Sequence, residues 1–300
     1  MNKLSFKDWI IATRPWSFTV SALPALVAML YEMYAHPESA HHWYFGIAAI
    51  IGAVIFHAGG NLISDYYDYI KGIDQAGKMG GTEALTSGLF TPRQFITFGW
   101  VLIIIGVLLG LFLVWQTGLT LLWIGLFGTI GALFYYLFKA NALGDLLIYL
   151  VYGPTIMLGT GFVVLGYIDW YLLIVTIPLS LITVGVLHAN NTRDIASDRT
   201  ANIRTLAMLI GVPASKVYYY LLIGLAYVSI VVMVVLQILP LFTLITLLTL
   251  PLAIKNCKAM SQISENDKTS IYDLEVKTAQ FHLPFSLALV LGLVISILIK

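Results

Sequence analysis

Charge is what this 300-residue sequence has least of: Asp, Glu, Lys and Arg make up 10% of it, while 59% is hydrophobic. An ordinary soluble domain carries roughly 25% charged residues, and mean hydropathy here is +0.90. That scarcity excludes a water-soluble globular protein and implies an integral membrane protein. A basic excess is missing too. The net charge of +1 offers no electrostatic footprint for nucleic acid. Cysteine is nearly absent, and Cys257 alone excludes an intrachain disulfide and a multi-cysteine metal site within one chain. The opening MNKLSFKDWIIATRPW is amphipathic and lacks a long apolar stretch, so no cleavable signal peptide is expected. The first membrane segment is then expected to direct insertion.

A bilayer-crossing helix takes about 20 mostly apolar residues. By that measure nine segments are predicted, at 16–32, 44–63, 95–115, 119–138, 145–166, 170–189, 217–237, 239–254 and 281–299. Together they make one all-α membrane domain over 1–300. Only Leu239-Pro240 divides the seventh from the eighth, so eight is the competing count. The basic residues decide for nine, because they are missing from one side. Lys3, Lys7, Arg14, Lys71, Lys78, Arg93, Lys139, Arg193, Arg199, Arg204, Lys216, Lys255, Lys258, Lys268 and Lys277 fall together, and Lys300 stands alone opposite. Such one-sidedness marks the basic face as cytoplasmic. Merging the last spans would break it.

Against this background two acidic stretches stand out. NLISDYYDYIKGID, residues 61–74, carries Asp65, Asp68 and Asp74; HANNTRDIASDRT, residues 188–200, carries Asp194 and Asp198. Each follows a long apolar run, after the second and sixth spans, in a long loop of the kind that carries function. Residues three or four apart share a helix face. Asn61, Asp65 and Asp68 therefore form one stripe if the helix continues past Asn61, and Asn190, Asp194 and Asp198 form another. The repeated Asn-x-x-x-Asp hints at a pseudo-repeated bundle. Crowded carboxylates at membrane depth repel and lose hydration, so they persist only where something positive joins them. All-oxygen ligands suit hard cations, and magnesium usually takes one or two carboxylates plus substrate phosphates. The plainer alternative is solvated charges pairing with Lys71, Arg193 and Arg199; two matched stripes on one face argue against it. After the first stretch, the glycines of GKMGGTEALTSGLFTPRQ allow close backbone approach to a ligand. Residues 257–280, by contrast, read as a solvated amphipathic connector.

NLISDYYDYIKGID and NNTRDIASDRTANIRTLAMLIG resemble the two aspartate-rich motifs of the UbiA superfamily of intramembrane prenyltransferases. The pattern is most similar to the branch that prenylates 1,4-dihydroxy-2-naphthoate in menaquinone biosynthesis. Arg14-Pro15 near the first helix, Leu143 to Asp145 after the fourth, and nine spans extend the likeness over nearly the whole chain. Ser64 and Ile203 depart from that branch's usual residues. The resemblance implies a nine-helix bundle with a central cavity open to the cytoplasmic side. It implies that Asn61, Asp65, Asp68, Asp194 and Asp198 hold Mg2+ ions against the diphosphate of a polyprenyl donor, with the four aspartates catalytic and an aromatic acceptor beside them. Demethylmenaquinone is the expected product. Another acceptor (4-hydroxybenzoate, homogentisate, haem or a glycerol phosphate) is the alternative within the superfamily. A divalent-cation transporter is the rival outside it, but transporters place ionisable groups near the midplane.

Further substrate-binding candidates follow. Arg14, Lys139 and Arg199 suit the diphosphate, since an arginine fork binds phosphate oxygens in pairs; Arg14 and Lys139 serve equally as interface anchors. Among Tyr66, Tyr67, Tyr135, Tyr136, Tyr149 and Tyr152, the deeper Tyr149 and Tyr152 are the better candidates to face a carbocation, the rest suiting an interfacial belt. His57 and His188 read as satisfied interior groups and are not assigned as bases. The bilayer is the evident partner; no protein partner follows from the sequence. The expected location is the bacterial cytoplasmic membrane, active site towards the cytoplasm.

Overall fold

The computed structural model describes residues 4–70, 72, 83–200, 203–265 and 267–300. Lys71, Asp74 and Lys78 lie outside the described residues, as does the side chain of Tyr136. Among the described residues every regular element is helical, apart from one isolated bridge between Asn141 and Arg204.

A short α1 (Phe6–Ala12) opens on a capping box. Ser5 Oγ accepts from the Asp8 N–H at 3.3 Å, and the Asp8 carboxylate accepts from the Ser5 N–H at 2.8 Å. Long apolar helices follow as α2 (Thr19–Ala35), α3 (Trp43–Ile70) and α4 (Pro92–Thr117). Then come α5 (Thr120–Leu133), α6 (Tyr135–Lys139), α7 (Gly144–Leu165), α8 (Ile177–Arg193) and α9 (Ile195–Thr200). The chain ends with α10 (Leu206–Val235), α11 (Leu250–Ser261) and α12 (Leu274–Ile299). Among the described residues, eight helical segments are long and apolar enough to cross a bilayer, and α5 adds a shorter apolar helix of 14 residues.

Several boundaries differ from expectation for local reasons. The first acidic stretch is helical as far as Ile70: α3 runs 28 residues and carries Asn61, Asp65 and Asp68 on its last turns. The second stripe is interrupted, because α8 stops at Asp194 (φ −93°, ψ 9°) and Asp198 sits on α9. The segment expected at 119–138 divides at Phe134 into α5 and α6. The segment expected at 217–237 is the body of the longer α10, kinked where Gly211 takes φ 74° ahead of Pro213. Leu239-Pro240 does separate α10 from a 3-10 segment, Leu241–Thr249. There the buried hydroxyls of Thr243, Thr246 and Thr249 each donate to the carbonyl three residues back. Gly292 of α12 lets this segment come close: a Cβ there would meet Phe242 O and Thr243 Cα at 2.6 Å.

Two cores position the site. The larger fills the bundle between α2, α7, α8, α10 and α12, with Met157, Leu179, Ile182, Tyr219, Phe281 and Phe285 fully buried. The smaller joins Ala12, Leu62, Leu85, Phe90 and Phe95. Trp9 of α1 packs on it edge-on to Phe90 and Phe98, centroids 4.7 and 4.8 Å away, which fixes where Arg14 falls over the end of α3. At the other end of the bundle Lys300 Nζ donates to Tyr34 O at 2.8 Å. Exposed side chains such as Leu108, Trp115, Trp123 and Leu225 form the lipid-facing surface.

Candidate active site

A cavity of about 550 Å³ opens at the end of the bundle that carries the acidic stretches. Its wall is overwhelmingly apolar, from α3, α4, α5 and α7, and its polar residues include Arg14, Ser21, His57, Asn61, Ser64 and Asp65. Leu111, Leu122 and Leu126 line it and are also exposed to the surroundings, so the chamber borders lipid on the α4–α5 side.

The polar end is tightly wired. Arg14 Nη2 meets Asp65 Oδ1 at 2.7 Å; the Asp65 side chain is 4% exposed and that of Arg14 31%. Asn61 Nδ2 donates to Thr13 O and Ser17 Oγ, both at 3.1 Å. Ser17 Oγ lies 3.3 Å from His57 Nε2, and Ser21 Oγ lies 3.0 Å from His57 Nδ1. The two hydroxyls bracket the imidazole and fix the orientation of its ring, while each also donates to a backbone carbonyl, Ser17 to Arg14 O and Ser21 to Phe18 O. Its ring is edge-on to Tyr152, centroids 5.0 Å apart. The turn around Arg14 is thus tied to α3 by one ion pair and two amide hydrogen bonds.

The second motif is held differently. Arg193 grips Asp194 in a fork, Nε to Oδ1 at 2.7 Å and Nη2 to Oδ2 at 2.8 Å. Its Nη1 turns to Glu275 Oε2 at 3.3 Å and to Tyr272 O at 3.2 Å. Asn190 Nδ2 donates to the same Glu275 oxygen at 2.6 Å, so α12 buttresses the end of α8. On the far side of α8, His188 Nδ1 lies 3.2 Å from Asp145 Oδ2, and Asn191 Nδ2 donates to Asp145 Oδ1 at 3.4 Å. This buried trio, beside a smaller hollow of about 220 Å³ lined by Asp145, Tyr149 and Tyr218, ties α8 to the start of α7.

The donor set fits magnesium. It is all oxygen, it is acidic, and Asp65 and Asp198 are buried at 3% and 6% exposure. Among the described residues no three of the motif carboxylates bring donor atoms within 4.8 Å of one another. An ion between the two motifs would therefore draw ligands from substrate phosphates as well.

The candidates fall into three groups. Arg14, Asn61, Asp65 and Tyr152 line the cavity; so does Tyr135, but not Tyr149, which lines the smaller hollow. Asp68, Asn190 and Asp194 are half-buried and Asp198 buried on the motif-bearing ends of α3, α8 and α9. Lys139 is half-exposed at the end of α6, and Arg199 is exposed at the end of α9. The sequence reading missed Glu275, which sits in the segment taken for a solvated connector, and the hold of Ser17 and Ser21 on His57. Only the position of Glu275 in the first turn of an apolar helix marked it.

Acidic motif ends beside a lipid-bordered apolar chamber define a membrane-embedded site that is charged at one end and apolar along its wall. The chain belongs to the UbiA prenyltransferase family, whose model matches residues 21–279. It is 34% identical over 227 residues to UbiA prenyltransferase domain-containing protein 1 of Danio rerio, covering 73% of this chain and 66% of that protein. With the Homo sapiens protein of that name it shares 35% identity over 226 residues, at the same coverage. The chain thus spans 66% of the length of these relatives, just short of two thirds. In fold it is similar to an apo UbiA homologue from Aeropyrum pernix, with a TM-score of 0.66, 17% identity, and coverage of 89% of this chain and 96% of that one. It is also similar to an Archaeoglobus fulgidus UbiA homologue bound to DMAPP and Mg2+, with a TM-score of 0.58, 12% identity, and coverage of 94% and 99%. The chain is a multi-pass membrane protein of that family. Its branch is a separate matter, since the two relatives named above do not carry the dihydroxynaphthoate name.

Proposed function

We propose that this protein transfers a polyprenyl group from polyprenyl diphosphate to 1,4-dihydroxy-2-naphthoate with loss of carbon dioxide, giving demethylmenaquinol, the hydroquinone form of demethylmenaquinone. The observation that carries the reading is the cavity itself: a long apolar chamber bordering lipid, with Arg14, Asn61 and Asp65 at its polar end. A polyprenyl tail fits such a wall and can continue into the bilayer past Leu111 and Leu126.

Asn61, Asp65, Asp68, Asp194 and Asp198 would hold magnesium, which when bound neutralises charge gathering on the departing diphosphate. Arg14, Lys139 and Arg199 supply fixed positive charge to the diphosphate oxygens. The allylic carbon–oxygen bond breaks with its electron pair leaving on the diphosphate. Tyr152 presents a ring to the cationic carbon from within the cavity, whereas Tyr149, expected to share that role, lines the smaller hollow instead. The naphthoate ring carbon that bears the carboxyl group then forms the new bond, and expulsion of carbon dioxide restores aromaticity. The apolar wall keeps water from the cation. With nine crossings, the mouth of the cavity faces the cytoplasm in a bacterial cytoplasmic membrane, since the basic residues gather at that end.

The test uses carboxyl-labelled dihydroxynaphthoate and one polyprenyl diphosphate with purified protein. About one labelled carbon dioxide per prenylated product is expected, and none without magnesium. Product that keeps the label, or turnover only with 4-hydroxybenzoate, moves the protein to another acceptor.

A further inference from the structure

The opposite end of the bundle holds a second cluster that the prenyl-transfer site does not use. Glu32 lies in the last turn of α2 and His36 is its C-cap, so the two share a face one turn apart. Asp169 reaches them from the turn that follows α7. His36 Nε2 is 3.3 Å from Asp169 Oδ2 and 3.8 Å from Glu32 Oε2. One donor atom from each of the three residues falls within 4.8 Å of the others.

Three observations mark this as more than a chance gathering. Glu32 is 0% exposed, and neither of its carboxylate oxygens has a hydrogen-bond partner among the described residues. A carboxylate so placed is costly unless something positive compensates it. Asp169 is oriented for the role: its Oδ1 accepts the Tyr171 N–H at 2.8 Å, which leaves Oδ2 facing His36. Room is made for Glu32 by Gly161, where a Cβ would stand 2.7 Å from Glu32 Oε1.

We propose that Glu32, His36 and Asp169 bind a divalent transition-metal ion of the zinc class, at the end of the bundle away from the acidic motifs. An imidazole with two carboxylates suits zinc and its first-row neighbours, whereas magnesium prefers oxygen alone. Donors set tetrahedrally at about 2.0–2.1 Å from zinc lie about 3.3 Å apart. The 3.3 and 3.8 Å separations here need only small side-chain shifts to reach that. His36, with 35% of its side chain exposed, leaves a path for the ion and for a water in the fourth position. The ion fastens the end of α2 to the turn at Asp169.

The experiment strips purified protein with chelator, reloads it with zinc, desalts it, and counts metal per chain by mass spectrometry. About one zinc per chain is expected, falling about tenfold or more in Glu32→Gln and His36→Ala and unchanged in Asp65→Asn, which separates this site from the prenyl-transfer site. Size-exclusion profiles of the variants identify any that fail to fold. The wild-type X-ray absorption spectrum stands without them: imidazole and oxygen scattering with no sulfur supports the site. Failure of the wild type to retain zinc, retention by both Glu32→Gln and His36→Ala, or a sulfur ligand from Cys257 overturns it.

Discussion

Arg14 is where backbone and chemistry pull hardest against each other. Its φ of 57° and ψ of 59° are left-handed, a conformation that costs a residue with a Cβ about 1–2 kcal/mol. In return its guanidinium reaches Asp65 at 2.7 Å. Comparing Arg14→Ala with Arg14→Gly separates the two effects, because both delete the guanidinium and only glycine relieves the strain. Glycine gives back about 0.5–1 kcal/mol through its freer unfolded chain. The net advantage of Gly over Ala is therefore about 0.75 kcal/mol at the midpoint of these ranges, or roughly 2 °C in thermal midpoint for a chain of this size. Both variants lose a charge-assisted hydrogen bond worth about 1.5–3 kcal/mol. The lower end applies, because Arg14 is 31% exposed and water can replace it. If the guanidinium also holds the diphosphate, KM for the prenyl donor rises about tenfold or more in both. Thermal unfolding in detergent and donor titration measure the two effects separately. A glycine variant no more stable than the alanine variant refutes the strain argument. An unchanged donor KM refutes the diphosphate role.

Asp65→Asn and Asp194→Asn are each expected to leave insertion intact and lower turnover about a hundredfold; rates within a few-fold of wild type would leave these carboxylates with structural work only. Gly292→Ala sets a Cβ 2.6 Å from Phe242 O and Thr243 Cα, backbone atoms that cannot rotate away. A loss of about 1–3 kcal/mol in detergent unfolding is expected, and an unchanged midpoint would show that the 3-10 segment yields. For topology, single cysteines at Ser39 and Ser264 in a Cys257→Ser background should label from opposite sides. Labelling from one side would rule out nine crossings.

Much of the fold was legible because apolar run length is a local property. Leu239-Pro240 marked a real break, and the runs after Trp43 and Pro92 became single helices. Helix ends were read less well. Asp65 and Asp68 belong to α3 although their charges read as loop, since burial of Leu62 and Ile63 carries the helix past them. Asp194 ends α8 although its spacing reads as continuous helix, because Arg193 and Glu275 hold the chain there. That hold is tertiary: it joins residues 82 positions apart, and no period in the sequence encodes it. The stripe argument singled out the acidic motif residues, while Ser17 and Ser21 beside His57, and Glu275 beside Arg193 and Asn190, came only from the fold.

The partners bear on how magnesium is taken up. A carboxylate offers about four acceptor positions, and the fork from Arg193 takes two on Asp194, so Asp194 keeps capacity for a metal. The negative charge of both aspartates, however, is already met: Arg14 compensates Asp65 and Arg193 compensates Asp194. A bare ion would have to shed water to reach carboxylates that gain little from it, and magnesium sheds water reluctantly. A diphosphate entering between the motifs adds negative charge that the two arginines do not cover. Magnesium is then expected to bind with the donor rather than before it. Calorimetric titration of magnesium into the protein alone should give weak binding, tightened about tenfold or more by a non-reactive polyprenyl diphosphonate. Equal affinity in the two titrations would mean that the arginines do not compensate the motifs and that the ion site is complete without substrate.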